Sequence, residues 1–204
     1  MRNYAPAHQS ALNAAPDAGI APAWFLWIAA RDRDTGTTVH VGLWSGDEPI
    51  TVTVAPPGGA GEARTYQGEV GLRVDPITSG IGLEDRPVTV MLSQIADQAQ
   101  FLVRTLDARH AYCELHLALR NGGALVAPPQ LEFVGIIDEA PITTPAVGGE
   151  GAITLSIRDE LMTQLTAVNP ARSSDAHQRR RQAGDEFSRY SGVIGSRELE
   201  WYRK

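Results

Sequence analysis

Along most of this chain apolar residues either alternate with polar ones or gather in short runs, and one window alone carries a clear helical period. Ala23-Trp-Phe-Leu-Trp-Ile-Ala-Ala30 predicts a buried strand rich in aromatic residues. Asp32-Arg-Asp-Thr-Gly36 supplies a turn, and Thr37 to Trp44 then alternates, with Val39, Val41 and Leu43 on one face. Together the two runs predict a hairpin. Ile50-Thr-Val-Thr-Val54 also alternates, and it stops at Ala55-Pro-Pro-Gly-Gly-Ala-Gly61, a breaker run that predicts an exposed loop. Arg64 to Val74 reads as one strand, in which Gly68 and Gly71 predict bulges or close backbone approach. Pro87 to Leu92 reads as another.

The helical window is Ile95 to Leu106, where Ile95, Ala99, Leu102, Val103 and Leu106 share a face. A second short helix is predicted over residues 3–15, bracketed by Pro6 and Pro16. His110 to Arg120 returns to strand, Asn121-Gly-Gly123 turns the chain, and Leu131 to Ile137 pairs back. Gly151 to Ile157 pairs next, and Arg158 to Ala167 predicts a helix. The expected fold is mostly β (α+β), an antiparallel β-barrel or sandwich with two or three short helices. Its expected divisions are an N-terminal helical arm (1–20), the β-barrel-type region (21–167) with an exposed loop at 55–62, and a C-terminal docking segment (168–204).

Composition narrows the field modestly. A chain of 204 residues with 43% hydrophobic residues buries a core without staples. The 20 glycines and 13 prolines favour short strands and turns. A net charge of −6 argues against a general binder of nucleic acid or anionic membrane. The apolar run Ala21 to Ala30 is too short to span a bilayer, and the N-terminus lacks the apolar core of a signal peptide, so synthesis and folding in a cytoplasm are expected. Cys113 is the only cysteine, which excludes an intrachain disulfide and a cysteine-based metal cluster.

Candidate chemistry is sparse. In His110-Ala-Tyr-Cys-Glu-Leu-His116, a strand puts His110, Tyr112, Glu114 and His116 on one face and turns Cys113 into the core, which separates the thiol from the histidines. Asp138 and Glu139 point opposite ways at a strand end, so they cannot flank one bond. Asp32, Asp34, Asp47 and Glu48 lack a calcium-loop spacing and read as turn residues. Gly58-Gly-Ala-Gly61 follows two prolines and opens no helix, and no Gly-x-Ser-x-Gly occurs. No catalytic, cofactor-binding or metal-binding residue is therefore assigned, and a non-enzyme is expected. Arg179, Arg180 and Arg181 sit among Asp175, Asp185 and Glu186, which predicts a salt-bridged surface or subunit interface rather than a nucleic-acid contact. Trp24, Trp27 and Trp44 predict core or sheet packing, whereas the terminal Trp201 and Tyr202 dock either on their own chain or on a partner.

The run Ser174-Asp-Ala-His-Gln-Arg-Arg-Arg-Gln-Ala-Gly-Asp-Glu-Phe-Ser-Arg-Tyr190 resembles a segment of tail proteins from long-tailed phages and prophages. Leu43-Trp-Ser-Gly46, Thr65-Tyr-Gln-Gly68, Val88-Thr-Val-Met-Leu-Ser93, Leu131-Glu-Phe-Val-Gly-Ile-Ile-Asp138 and Ala152-Ile-Thr-Leu-Ser-Ile157 fall in matching order. Such proteins are similar to the baseplate hub proteins of siphophages and gene transfer agents. The chain departs from the pattern at Ala183, where proline is usual, and at its Trp-Tyr-Arg-Lys end. It also has no cysteine-rich domain, so no iron–sulfur cluster is implied and no cofactor is expected.

The resemblance implies a structural subunit of a virion tail tip. Its place would be a hub ring at the distal end of the tail tube, linking tube to central fibre. The implied partners are further copies of the chain, in a ring of three or six, together with the distal tail protein, the central fibre and the tape measure. DNA would only pass through the lumen, the isolated chain would bind no membrane, and synthesis would occur in the host bacterial cytoplasm. Arg179, Arg180, Arg181, Asp185, Phe187, Tyr190, Trp201 and Tyr202 are the expected interface residues. The alternatives are a distal tail protein or other tail ring subunit, and a carbohydrate-binding β-domain.

Overall fold

The structure is a computed structural model that describes residues 4–78, 85–147, 151–166, 174–190 and 192–196. The chain divides into two compact units, Met1–Leu165 and Thr166–Lys204.

The first unit is mostly β, as the alternating pattern predicts. A helix α1 (Pro6–Ala18) leads into β1 (Ala21–Asp32) and β2 (Thr38–Trp44), which pair as the predicted hairpin. A separate two-stranded sheet follows, β3 (Ile50–Val54) and β4 (Glu62–Tyr66), joined by the exposed Pro/Gly loop. Then come β5 (Arg73–Val74), β6 (Val88–Ser93), helix α2 (Asp97–Arg104) and the long β7 (Leu106–Asn121). The remainder is β8 (Ala124–Leu125), β9 (Gln130–Glu139), β10 (Ile142–Thr143), β11 (Ala152–Asp159) and helix α3 (Glu160–Thr166).

The main sheet runs in the order β2-β1-β7-β9-β11-β6-β5, and every named strand pair in it is antiparallel. Its two edges are joined by one stretch of chain. Gln67 exchanges backbone hydrogen bonds with β2 (Trp44 N to Gln67 O 3.0 Å, Gln67 N to Gly42 O 2.9 Å), and three residues later Val70 O accepts from Ser93 N of β6 at 2.8 Å. The sheet thereby closes into a barrel and leaves neither β2 nor β6 as an open edge. Leu26, Ile28, Val41, Leu43, Val70, Leu72, Val90, Leu92, Cys113, Leu115, Ile137, Leu155 and Ile157 fill its interior, all nearly inaccessible to solvent. Ala99 and Leu102 of α2 add to the same core. They do so near the β1–β2 turn, where the Arg33 side chain donates to Leu106 O at 3.0 Å.

Three expectations need correction. The predicted Arg64–Val74 strand is two strands separated by a bend, because Glu69 (φ 57°) and Gly71 (φ 60°) adopt left-handed backbone that steers the chain from β2 across to β6. Ile95 does not share the buried face of α2: the helix begins at Asp97, and Ile95 is 90% exposed in the preceding turn. His110 does not share a face with Glu114 and His116. It has φ 63° within a bulge where β7 places several extra residues against β1, so buried positions run Leu106, Ala108 before it and Ala111, Cys113, Leu115 after it. Gly68 does mark a close approach, since a Cβ there would lie 2.3 Å from the Asp47 carbonyl oxygen.

Within the second unit, Ser174 caps a short helix α4 (Asp175–Arg181), accepting from His177 N at 3.3 Å. Asp175 in its first turn and Arg179, Arg180 and Arg181 in its last suit the helix dipole. A single 3-10 turn follows at Ile194–Ser196. With α4 the described helices number four, one more than expected.

Candidate functional site

Two places gather more chemistry than the rest. The first lies outside the barrel, where the β3–β4 hairpin covers β1 and β7. Alternation sends Leu26 and Ile28 inward and leaves Ala23, Phe25 and Trp27 facing out, and the hairpin packs Val54 and Tyr66 onto them. Gly42 permits the approach, because a Cβ there would lie 2.4 Å from the Thr65 carbonyl oxygen. Phe25 stacks on Trp44 with ring centroids 5.4 Å apart and meets Tyr66 edge-on at 5.1 Å.

Under this cover sits a buried polar group. Arg64 of β4 donates to Glu114 of β7 at 2.6 Å and to Glu62 at 2.5 Å, with its guanidinium carbon 4.7 Å from the centre of the Trp27 ring. Trp27 in turn stacks on His40. Burial works against the charge on Arg64, but the hydrogen bonds to Glu114 and Glu62 outweigh it and hold the guanidinium protonated. His116, fully buried, has no hydrogen-bond partner for either ring nitrogen among the described residues, and its Nε2 lies 3.6 Å from Glu114 Oε2. Burial lowers its pKa to about 4; the Glu114 charge opposes that shift, Arg64 adds to it, and the Ala55 backbone opposes it without meeting hydrogen-bond geometry. The Tyr66 hydroxyl, likewise without a partner in hydrogen-bond geometry, is pushed up to about 12 by burial, with Arg64 pulling the other way.

Glu114 and His116 therefore do share a face, as expected, and Cys113 points into the barrel, its Sγ 3.4 Å from Gly135 O. Burial pushes that thiol well above its ordinary range. Arg64, Glu114 and His116 are each at most 5% exposed, only Glu62 of the group reaches solvent, and the buried contacts hold hairpin to barrel. Asp32 does ordinary turn work, accepting from Asp34 N and Thr35 N at 2.9 and 2.8 Å. Asp138 pairs with Arg158 at 3.4 Å, as does Asp85 at 2.6 Å. Among the described residues no cluster of three or more His, Cys, Asp or Glu side chains could hold a metal, and no helix is long and apolar enough to cross a membrane.

The second place is the C-terminal unit. Arg179 pairs with Asp175 at 3.0 Å and with Glu186 at 3.9 Å, and Arg189 pairs with Glu186 at 3.2 Å. Asp185 pairs with none of the arginines and instead accepts from Phe187 N at 3.0 Å, while Arg180 and Arg181 are exposed without an ion pair among the described residues. Phe187 (91% exposed), Tyr190 (59%) and Val193 (54%) recur every third residue and offer an apolar row to solvent. Sequence reasoning missed Val193, although its spacing from Tyr190 repeats that of Tyr190 from Phe187. Trp201 and Tyr202 lie outside the described residues. No family model matches the sequence, and no curated protein matches it either.

Proposed function

We propose that the chain is a structural, non-enzymatic subunit of a phage or phage-like tail tip, a hub protein that forms a ring at the distal end of the tail tube and links tube to central fibre. The observation that carries the interface part of this reading is the exposed row Phe187, Tyr190 and Val193, set on a segment stiffened by Arg179–Asp175 and Arg189–Glu186 pairs. Three large apolar side chains held in water on one short segment favour burial against another subunit. Arg180 and Arg181 of the same unit, exposed and without an ion pair among the described residues, offer guanidinium groups for a partner's carboxylates. The closed barrel supplies a rigid body, and the Pro56–Gly61 loop is exposed for contact with a neighbouring ring or fibre.

Mass photometry of the purified full chain tests this directly. The expected outcome is a discrete ring of three copies for a hub, with six marking the distal-tail-protein reading, and its collapse to monomer in a Phe187→Ser/Tyr190→Ser variant. A wild-type chain that stays monomeric at micromolar concentration, or a variant that assembles as well as wild type, overturns the interface. The alternative of a carbohydrate-binding β-domain would draw on exposed aromatic rings such as Phe187 and Tyr190, and saturable binding of cell-wall glycans by the isolated chain would favour it.

A further inference from the structure

Helix α1 commits one fully buried side chain to its unit, and that side chain is a histidine. His8 is 2% exposed, and it lines a cavity of about 40 Å³ with Tyr4 and Leu12 from its own segment, Leu117 and Leu119 from β7, and Gln130 from β9. Neither ring nitrogen has a hydrogen-bond partner among the described residues. The polar tie between this segment and the barrel is a hydrogen bond from Ala5 N to Gln130 Oε1 at 3.3 Å. Among the described residues the cavity lining holds no Asp, Glu, Lys or Arg, and the Tyr4 phenol is its one other titratable group. An imidazolium formed there loses its hydration and gains no counter-charge. Burial accordingly lowers the pKa of His8. Beyond the helix Gly19 takes a left-handed backbone (φ 67°), where an added Cβ would meet nothing within 4 Å, and Pro16 inside the last turn contributes no amide to it.

We propose that α1 is an acid-released strap, docked on β7 and β9 while His8 is neutral and expelled when a proton on the imidazole drives the ring into water, uncovering Leu117, Leu119 and Gln130. A base that binds its proton less readily in the docked state stabilises docking fully above about pH 6.5 and loses that contribution as the pH falls below it. The strap leaves while the barrel remains, because His8 is the one side chain that α1 buries fully.

Amide hydrogen exchange of the full chain at about pH 7.5 and about pH 5, corrected for the intrinsic pH dependence of exchange, reads the strap and the strands separately. The expected result is loss of protection across residues 6–18 at the lower pH with β7 and β9 still protected, and no such loss in His8→Leu. His8→Gln, which also cannot titrate, serves where the leucine variant fails to fold. Three results overturn the proposal: equal protection of the wild-type strap at both pH values, equal acid loss in the non-titrating variants, or simultaneous loss from β7 and β9.

Discussion

The two sides of β1 teach different lessons about what holds a barrel wall. Inward, Leu26 and Ile28 meet carbon on every side. Outward, Phe25 and Trp27 meet rings and a guanidinium, and they stand opposite a buried histidine and carboxylate, His116 and Glu114, on the neighbouring strand. The inner contacts are interchangeable in kind, and their strength follows apolar area. The outer ones are specific, because Arg64 has one geometry that satisfies Glu114 and Glu62 together. The inner core makes the barrel stable, and the outer group fixes where the hairpin sits.

The sharpest way to break this contrast is Arg64→Ala, which leaves Glu114 buried without its partner. It should cost about 3–5 kcal/mol in urea unfolding, whereas Arg64→Met/Glu114→Leu, which removes both charges, should recover most of that. Leu155→Ala in the barrel should cost about 3 kcal/mol by cavity formation, with no second substitution elsewhere that restores it. His116 separates the sides by pH. Its native pKa lies below that of the unfolded chain, so stability is fully present above about pH 6.5 and falls as the pH drops towards about 4. The loss should be on the order of 2 kcal/mol and should shrink in His116→Leu, as read from urea midpoints across pH. Tyr66→Phe should be the mildest, within about 1 kcal/mol of wild type in the same assay, because the hydroxyl it removes has no partner to orphan.

The inner side was readable in advance and the outer side was not, for a physical reason. Alternation is a local signal, so Val39, Val41 and Leu43 declared their face, and the single thiol of Cys113 was correctly turned inward. Arg64 and Glu114 stand 50 residues apart, and no local pattern says that β4 lies over β7. Alternation puts His116 on the outward face of β7, and nothing local says that a hairpin covers it. The bulge at His110 escaped because a positive φ is signalled in sequence by glycine, and histidine gives no such warning. Helix α4 was the reverse case. Ser174, Asp175 and the three arginines carried its end chemistry, but seven residues are too few to show a hydrophobic period.

The order of strands also sets a clock. β1 is made early, yet its pairing with β7 joins Ala21 to Arg120 and Asp32 to Leu106, so roughly 75–100 residues must follow before that partner exists. At a synthesis rate of about 5–20 residues per second, the interior face of β1 stays uncovered for roughly 4–20 s. During that interval Leu26 and Ile28, on the inward face of the nascent β1–β2 hairpin, have no β7 beside them, whereas Phe25 and Trp27 on the outward face gain cover as soon as β3–β4 is made. Closure through Val70 and Ser93 waits for β6 and its later partner β11. A ribosome-bound holdase that covers that inward face should therefore raise the soluble yield of this protein, as read by expression with and without it.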